Sequence, residues 1–194
     1  NPQYRHFGSL MAYANRMCEL ISDGKHIAPA AILYQGESDW CGDCMMMQEP
    51  ARLLAENQME YDFIPSDVFA EREAYRTEIG QKLTVNTQEY QVLIVPKYDY
   101  IPEAAARGIA EFLEKGGKVL FIDAYPKNCC EGTPLPEKIR TAACVELSGL
   151  LPALEELPVR EVKATPANRR VHYFHYKGET DRYLFVNEDD SDYK

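Results

Sequence analysis

The chain has 194 residues, 45% of them apolar, and a formal net charge of −10. That length supports one sizeable core and the beginning of a second, and the acidic balance supplies no Lys/Arg stripe for phosphates or an anionic bilayer surface, so neither nucleic acid nor membrane is expected as a partner. No apolar run approaches the ~18 residues of a bilayer span, and no secretory leader pattern opens the chain.

Residues 7–22 place Leu10, Met11, Ala14, Met17, Cys18 and Ile21 at helical spacing, which predicts a helix with one apolar stripe. Asp23-Gly24 ends it. Residues 28–34, APAAILY, read as the first strand, parallel and central. A helix is expected over 49–58, with Pro50 suited to its first turn and Ala51, Leu54 and Ala55 on its buried side. YDFI at 61–64 is the second strand, 68–75 a short helix, and 81–85 a small strand.

The organising unit comes next. YQVLIVP at 90–96, an amphipathic segment over 101–117 and KVLFID at 118–123 spell strand, helix, strand. A crossover of this length predicts two parallel strands, apolar because helices cover both faces of their sheet. Pro102 and Glu103 suit the first helical turn, Ala106, Ile109, Ala110 and Leu113 the covered face, and Gly116-Gly117 the exit. Residues 125–136 are turn-rich, 137–143 helical, and 145–151 do not decide between helix and strand. Residues 159–164, 170–176 and 182–187 alternate, which predicts antiparallel strands. The expected fold is therefore α/β: a three-layer parallel sheet flanked by helices over residues 1–150, then an antiparallel β segment over 151–194. The opening NPQYRH and the close SDYK are those expected of a piece cut from a longer chain.

In an open α/β sheet ligands sit beyond the carboxyl ends of the strands, and the candidate residues lie there. The string Trp40-Cys41-Gly42-Asp43-Cys44 leaves the first strand and resembles the thioredoxin WCGxC signature, with Asp43 where proline usually stands. A thiolate at a helix start would be stabilised, whereas Asp43 opposes one. Cys41 and Cys44 are thus a candidate redox pair, with a pair of ordinary loop cysteines as the plainer reading. A zinc site drawing on Cys129 and Cys130 has poor geometry, because adjacent cysteines suit one ion badly; no metal or cofactor is expected. Glu37, Asp39 and Asp123 follow strands and are candidate rim carboxylates, with solvated loop acids or helix caps as the plainer reading. Trp40, Tyr98, Tyr100 and Tyr125 could stack on a sugar, though tyrosines also serve interfaces, having area and a polar handle. There is no G-x-G-x-x-G after a strand, no Walker A and no G-x-S-x-G.

The order of segments carries a resemblance. A helix, APAAILY, ESDW, EPARLL, YDFIPSDVF and YQVLIVPKYDYIPEAAARGIAEFLEKGGKVLFID together resemble the flavodoxin-like or glutamine-amidotransferase-like domain that follows the catalytic barrel in large bacterial glycoside hydrolases. The β-galactosidase trimerisation domain is one relative, and α-L-rhamnosidase-type enzymes carry similar regions. The tail RYLFVNEDD is similar to the start of the β-sandwich that follows. The resemblance implies a domain without catalytic residues that braces a barrel, contacts a β-sandwich, sometimes joins subunits in a homo-oligomer, and lends a loop to an active-site rim. The amidotransferase relatives carry a cysteine after the central strand; here Lys97 and Tyr98 stand there. The expectation is a structural or interface module, with a Cys41/Cys44 redox module or a carbohydrate-binding module as alternatives.

Overall fold

The computed structural model describes residues 2–189. Five strands form a parallel sheet: β1 (Ala30–Tyr34), β2 (Tyr61–Pro65), β3 (Val92–Val95), β4 (Lys118–Ile122) and β5 (Ala143–Val145), in spatial order β5-β4-β3-β1-β2. This is the doubly wound order of flavodoxin-like sheets, with its reversal between β1 and β3. The register aligns Ile32 of β1 with Phe63 on one side and Ile94 on the other. β1 and β3 are central, as their unbroken apolar runs predict, and β5 is an edge strand that the ambiguous pattern around Val145 concealed.

Side chains alternate across the sheet, so each strand feeds two cores. One face presents Ala31, Leu33, Leu93, Val95, Val119 and Phe121 to the crossover helix α3 (Glu103–Glu114). The other presents Ala30, Ile32, Val92, Ile94, Leu120 and Ile122 to α2 (Gln48–Ala55) and α4 (Leu150–Glu155). Leu150, Leu154 and Val159 pack in this second core, so the sheet's packing continues past residue 150. The three layers are as expected.

α3 buries Ala105, Ala106, Gly108, Ile109, Ala110 and Phe112, a face rotated from the one the spacing predicts: Phe112 takes the place of Leu113, which is only partly buried. Each large apolar side chain so buried contributes roughly 1.5–3 kcal/mol. Gly108 is required because a Cβ there would lie 2.2 Å from the Phe69 ring. The exit is made by Gly116 at φ +86 and by Gly117, whose Cβ would lie 2.2 Å from Phe112.

The first helix, α1 (Phe7–Ile21), differs from α3 in one decisive way: none of its residues is buried. Leu10 is 57% exposed. A helix of this length is marginal alone in water, and among the described residues its apolar stripe is covered only in part, at Ala14, Met17 and Ile21.

The C-terminal hairpin, β6 (Val171–Lys177) and β7 (Asp181–Asn187), is antiparallel, as expected, and β6 also pairs with Lys25–His26. The alternating residues 159–164 do not form a strand. Side chains tie the segment to residues 57–58 instead: Ala164 N–H donates to Gln58 Oε1 at 3.3 Å, and the Arg160 side chain donates to the Asn57 carbonyl at 2.5 Å.

Candidate functional site

The crevice at the carboxyl ends of β1 and β3 is where a ligand would enter a sheet of this order. Residues 35–47 leave β1 and residues 96–101 leave β3, and the two segments bind each other. Met45 N–H donates to the Lys97 carbonyl at 2.8 Å, Asp99 N–H donates to the Asp43 carbonyl at 3.0 Å, and Cys44 bridges Tyr98 in antiparallel fashion. Gly42 permits the approach: its φ is +155, and a Cβ there would lie 2.8 Å from the Asp99 Cβ.

Charges line the same seam. Lys97 Nζ contacts Asp43 at 2.6 Å, Lys127 Nζ contacts Asp99 at 2.9 Å, and Asp43 N–H donates to the Asp99 carboxylate at 3.1 Å. The hydrogen bond from Lys127 holds the Asp99 carboxyl below the usual carboxylate range, and the one to Asp43 raises the Lys97 ammonium. The sequence reading missed this quartet. Its signal was present in the charged residues directly after β3, but the opposing Asp43 and Lys127 come from distant loops.

Tyr98 is 3% exposed and its hydroxyl donates to the Leu33 carbonyl at 2.9 Å. It fills the crevice and offers no face for stacking on a sugar. What remains is a recess of about 190 Å³ between Tyr34, Gln35, Met45, Met47 and Tyr98, smaller than the ~300–1,000 Å³ of an ordinary small-molecule pocket. Gln35 Nε2 donates to the Tyr100 carbonyl at 2.9 Å, while its buried Oε1 has no hydrogen-bond partner.

The other predicted residues disperse around this seam. Trp40 lies in a one-turn helix, Ser38–Cys41, and is 88% exposed. Glu37 precedes that turn and is exposed; the Asp39 side chain lies outside the described residues. Tyr100 is half-buried on the short strand Tyr100–Ile101. Tyr125 leans on Phe121 with ring centroids 5.2 Å apart, and its hydroxyl donates to the Ala142 carbonyl at 2.7 Å, so its role is packing. Asp123 ends β4 at φ +62, and its Oδ1 accepts Leu147 N–H at 3.0 Å. It caps the turn after β5 and forms no described pair with Glu37. Cys18, Cys41, Cys129, Cys130 and Cys144 are in no disulfide. The Cys130 thiol lies beside Cys41. Among the described residues no three His, Cys, Asp or Glu side chains gather in a metal-binding arrangement.

Two further features lie far from this edge. A recess of about 600 Å³ separates residues 162–165 from β7, with Val171, Phe185 and Val186 on its wall. At the amino ends of the strands, His26 sits between two carboxylates, with Nε2 2.5 Å from Glu60 and Nδ1 3.0 Å from Asp62. Burial pushes the imidazole down, but the bonds to Asp62 and Glu60 outweigh it and the result is a rise to about 9. Burial raises the Glu60 carboxyl. Tyr90 donates its hydroxyl to Asp62 at 3.0 Å. His26 had no partner legible in sequence, because Glu60 and Asp62 become its neighbours only through sheet pairing.

No family model and no curated protein matches the chain. Among solved structures it is similar to the apo exo-carrageenase GH42 from Bacteroides ovatus, at 12% identity and a TM-score of 0.43, over 84% of this chain and 19% of that one. The chain thus spans less than a fifth of that enzyme's length.

Proposed function

We propose that this chain is a non-catalytic α/β module of a multidomain glycoside hydrolase, bracing a catalytic barrel on one side and leading through its hairpin into a β-sandwich on the other. The observation that carries the reading is the closed switch point. Residues 43–45 pair along 97–99, and Tyr98 is buried against Leu33 where a ligand or nucleophile would otherwise stand. The segment order quoted above supplies the glycoside hydrolase context. The exposed apolar side chains of α1, with Phe7, Leu10 and Tyr13 at least half exposed, make a surface of the kind the barrel would cover. Phe174, Tyr183 and Phe185 on the hairpin, also exposed, suit the following sandwich.

The test is turnover. The purified chain, offered a panel of aryl glycosides, is expected to release no chromophore. Hydrolysis that disappears in Glu37→Gln or Asp39→Asn would overturn the reading. A carbohydrate-binding role is the second reading, favoured by the exposure of Trp40. Saturable quenching of this sole tryptophan by oligosaccharides would support it, and a flat titration would remove it.

A further inference from the structure

Cys41 closes the turn Ser38–Cys41, which packs on the strand Tyr100–Ile101. That strand also pairs in parallel with Asn128–Cys129, and Cys130 N–H donates to the Ile101 carbonyl at 2.9 Å. Two cysteines distant in sequence are thereby set beside one short strand, close enough that Cys41 acts electrostatically on the Cys130 thiol. Cys129 is turned the other way, buried, with its Sγ toward the Pro134 carbonyl at 3.9 Å. Cys41 is exposed and Cys130 partly buried.

We propose that Cys41 and Cys130 form a reversible disulfide by exchange with a small-molecule disulfide of the glutathione type, and that this bond clamps the rim of the switch-point seam. The Cys41 thiolate attacks one sulfur of the oxidant, forming a mixed disulfide and expelling one thiolate. Cys130 then loses its proton to solvent and attacks the Cys41 sulfur, expelling the second. Two protein thiols are oxidised, one disulfide is reduced to two thiols, and the two protons released are taken up by the leaving thiolates. The order follows from access and charge. Cys41 is open to solvent, whereas burial, then Cys41 itself, then Glu131 and Glu37, push the Cys130 thiol up to about 11. Loss of the Cys41 charge in the mixed disulfide relieves part of that rise when Cys130 has to react. The bond would join the loop after β1 to residues 128–133, two segments otherwise linked across the strand Tyr100–Ile101.

The experiment equilibrates the reduced chain with oxidised and reduced glutathione, traps thiols with an alkylating agent, and maps peptides by mass spectrometry. The expected product has lost about 2 Da, two hydrogens, and links the Cys41 and Cys130 peptides. It persists in Cys44→Ser and vanishes in Cys41→Ser and Cys130→Ser. Trp40 adjoins Cys41, so its emission is expected to fall on oxidation, to recover with dithiothreitol, and to stay unchanged in Cys41→Ser, whereas Cys130→Ser is expected to stop at glutathione on Cys41. A Cys41–Cys44 link, or glutathione left on Cys41 with no internal bridge, would overturn the proposal.

Discussion

His26 offers the sharpest test of how this fold is held together at the amino ends of its strands. Its imidazole lies between Glu60 at 2.5 Å and Asp62 at 3.0 Å, and only 20% of the side chain is exposed. The rise from 6.5 to about 9 is worth roughly 3 kcal/mol at ~1.4 kcal/mol for each tenfold change in proton affinity. Because the folded value lies above the unfolded one, this stabilisation is complete below about pH 6.5 and is lost as pH climbs through about 9. The other groups facing the ring are Tyr176, with its centroid 5.4 Å away, and Tyr90 through Asp62. Urea unfolding of the wild type and of His26→Gln, followed from about pH 6 to about pH 10, isolates the contribution, since the cysteines and lysines titrating in that window are common to both. The two unfolding free energies are expected to differ most at the acid end and to converge by roughly 3 kcal/mol toward the alkaline end. Curves that run parallel across the window would refute the assignment. So would an imidazole titrating near its ordinary value by NMR.

Three further outcomes follow from packing and backbone geometry. Gly108→Ala drives a methyl into the buried Phe69 ring, and a loss of about 1–3 kcal/mol is expected in the urea midpoint. Asp123→Ala removes both the cap on Leu147 N–H and a side chain tolerant of φ +62, for an expected cost of about 1–3 kcal/mol; Asp123→Gly, which keeps the backbone freedom, should cost less in the same assay. Gln58 donates to the Val171 carbonyl at 2.6 Å and the Asn168 carbonyl at 3.0 Å. Its replacement by alanine is expected to speed amide exchange in β6 about tenfold or more while leaving β3 unchanged.

The parallel sheet was legible because its cause is local. APAAILY and YQVLIVP are apolar on both faces, and the segment between YQVLIVP and KVLFID has helical period and the punctuation of Pro102 and Gly116-Gly117. The rest turned on partners that only the fold supplies. The stripe of α1 has the period of a buried helix, yet none of its residues is buried, since periodicity records a face and not what covers it. Residues 159–164 alternate like a strand, but Gln58 accepts from the Ala164 N–H and Arg160 donates to the Asn57 carbonyl in place of a ladder. At the candidate site, Tyr98 resembled a loop aromatic until its hydroxyl was seen on Leu33, and the seam of Asp43, Lys97, Asp99 and Lys127 joins three loops that no spacing rule connects. Cys41 was read against Cys44 because the two are near in sequence, whereas the sheet sets it beside Cys130.

The two ends of the sheet are closed by different physics, and this decides which can open. The amino end is held by a half-buried His26 between carboxylates, which salt screens little. The carboxyl end is held by backbone pairing of 43–45 with 97–99 and by ion pairs that each have one partner largely in water, Asp43 at 70% and Lys127 at 67% exposure. Exposed pairs contribute little and are screened by salt. Amide exchange at low and high ionic strength separates the two. The Met45 and Asp99 amides, bonded to Lys97 and Asp43, are expected to exchange faster as salt rises, while those of Ala31 and Leu93 in the core strands hold their protection. Equal salt sensitivity at both positions, or none at Met45, would mean that backbone pairing alone closes the seam and that the four charges only decorate it.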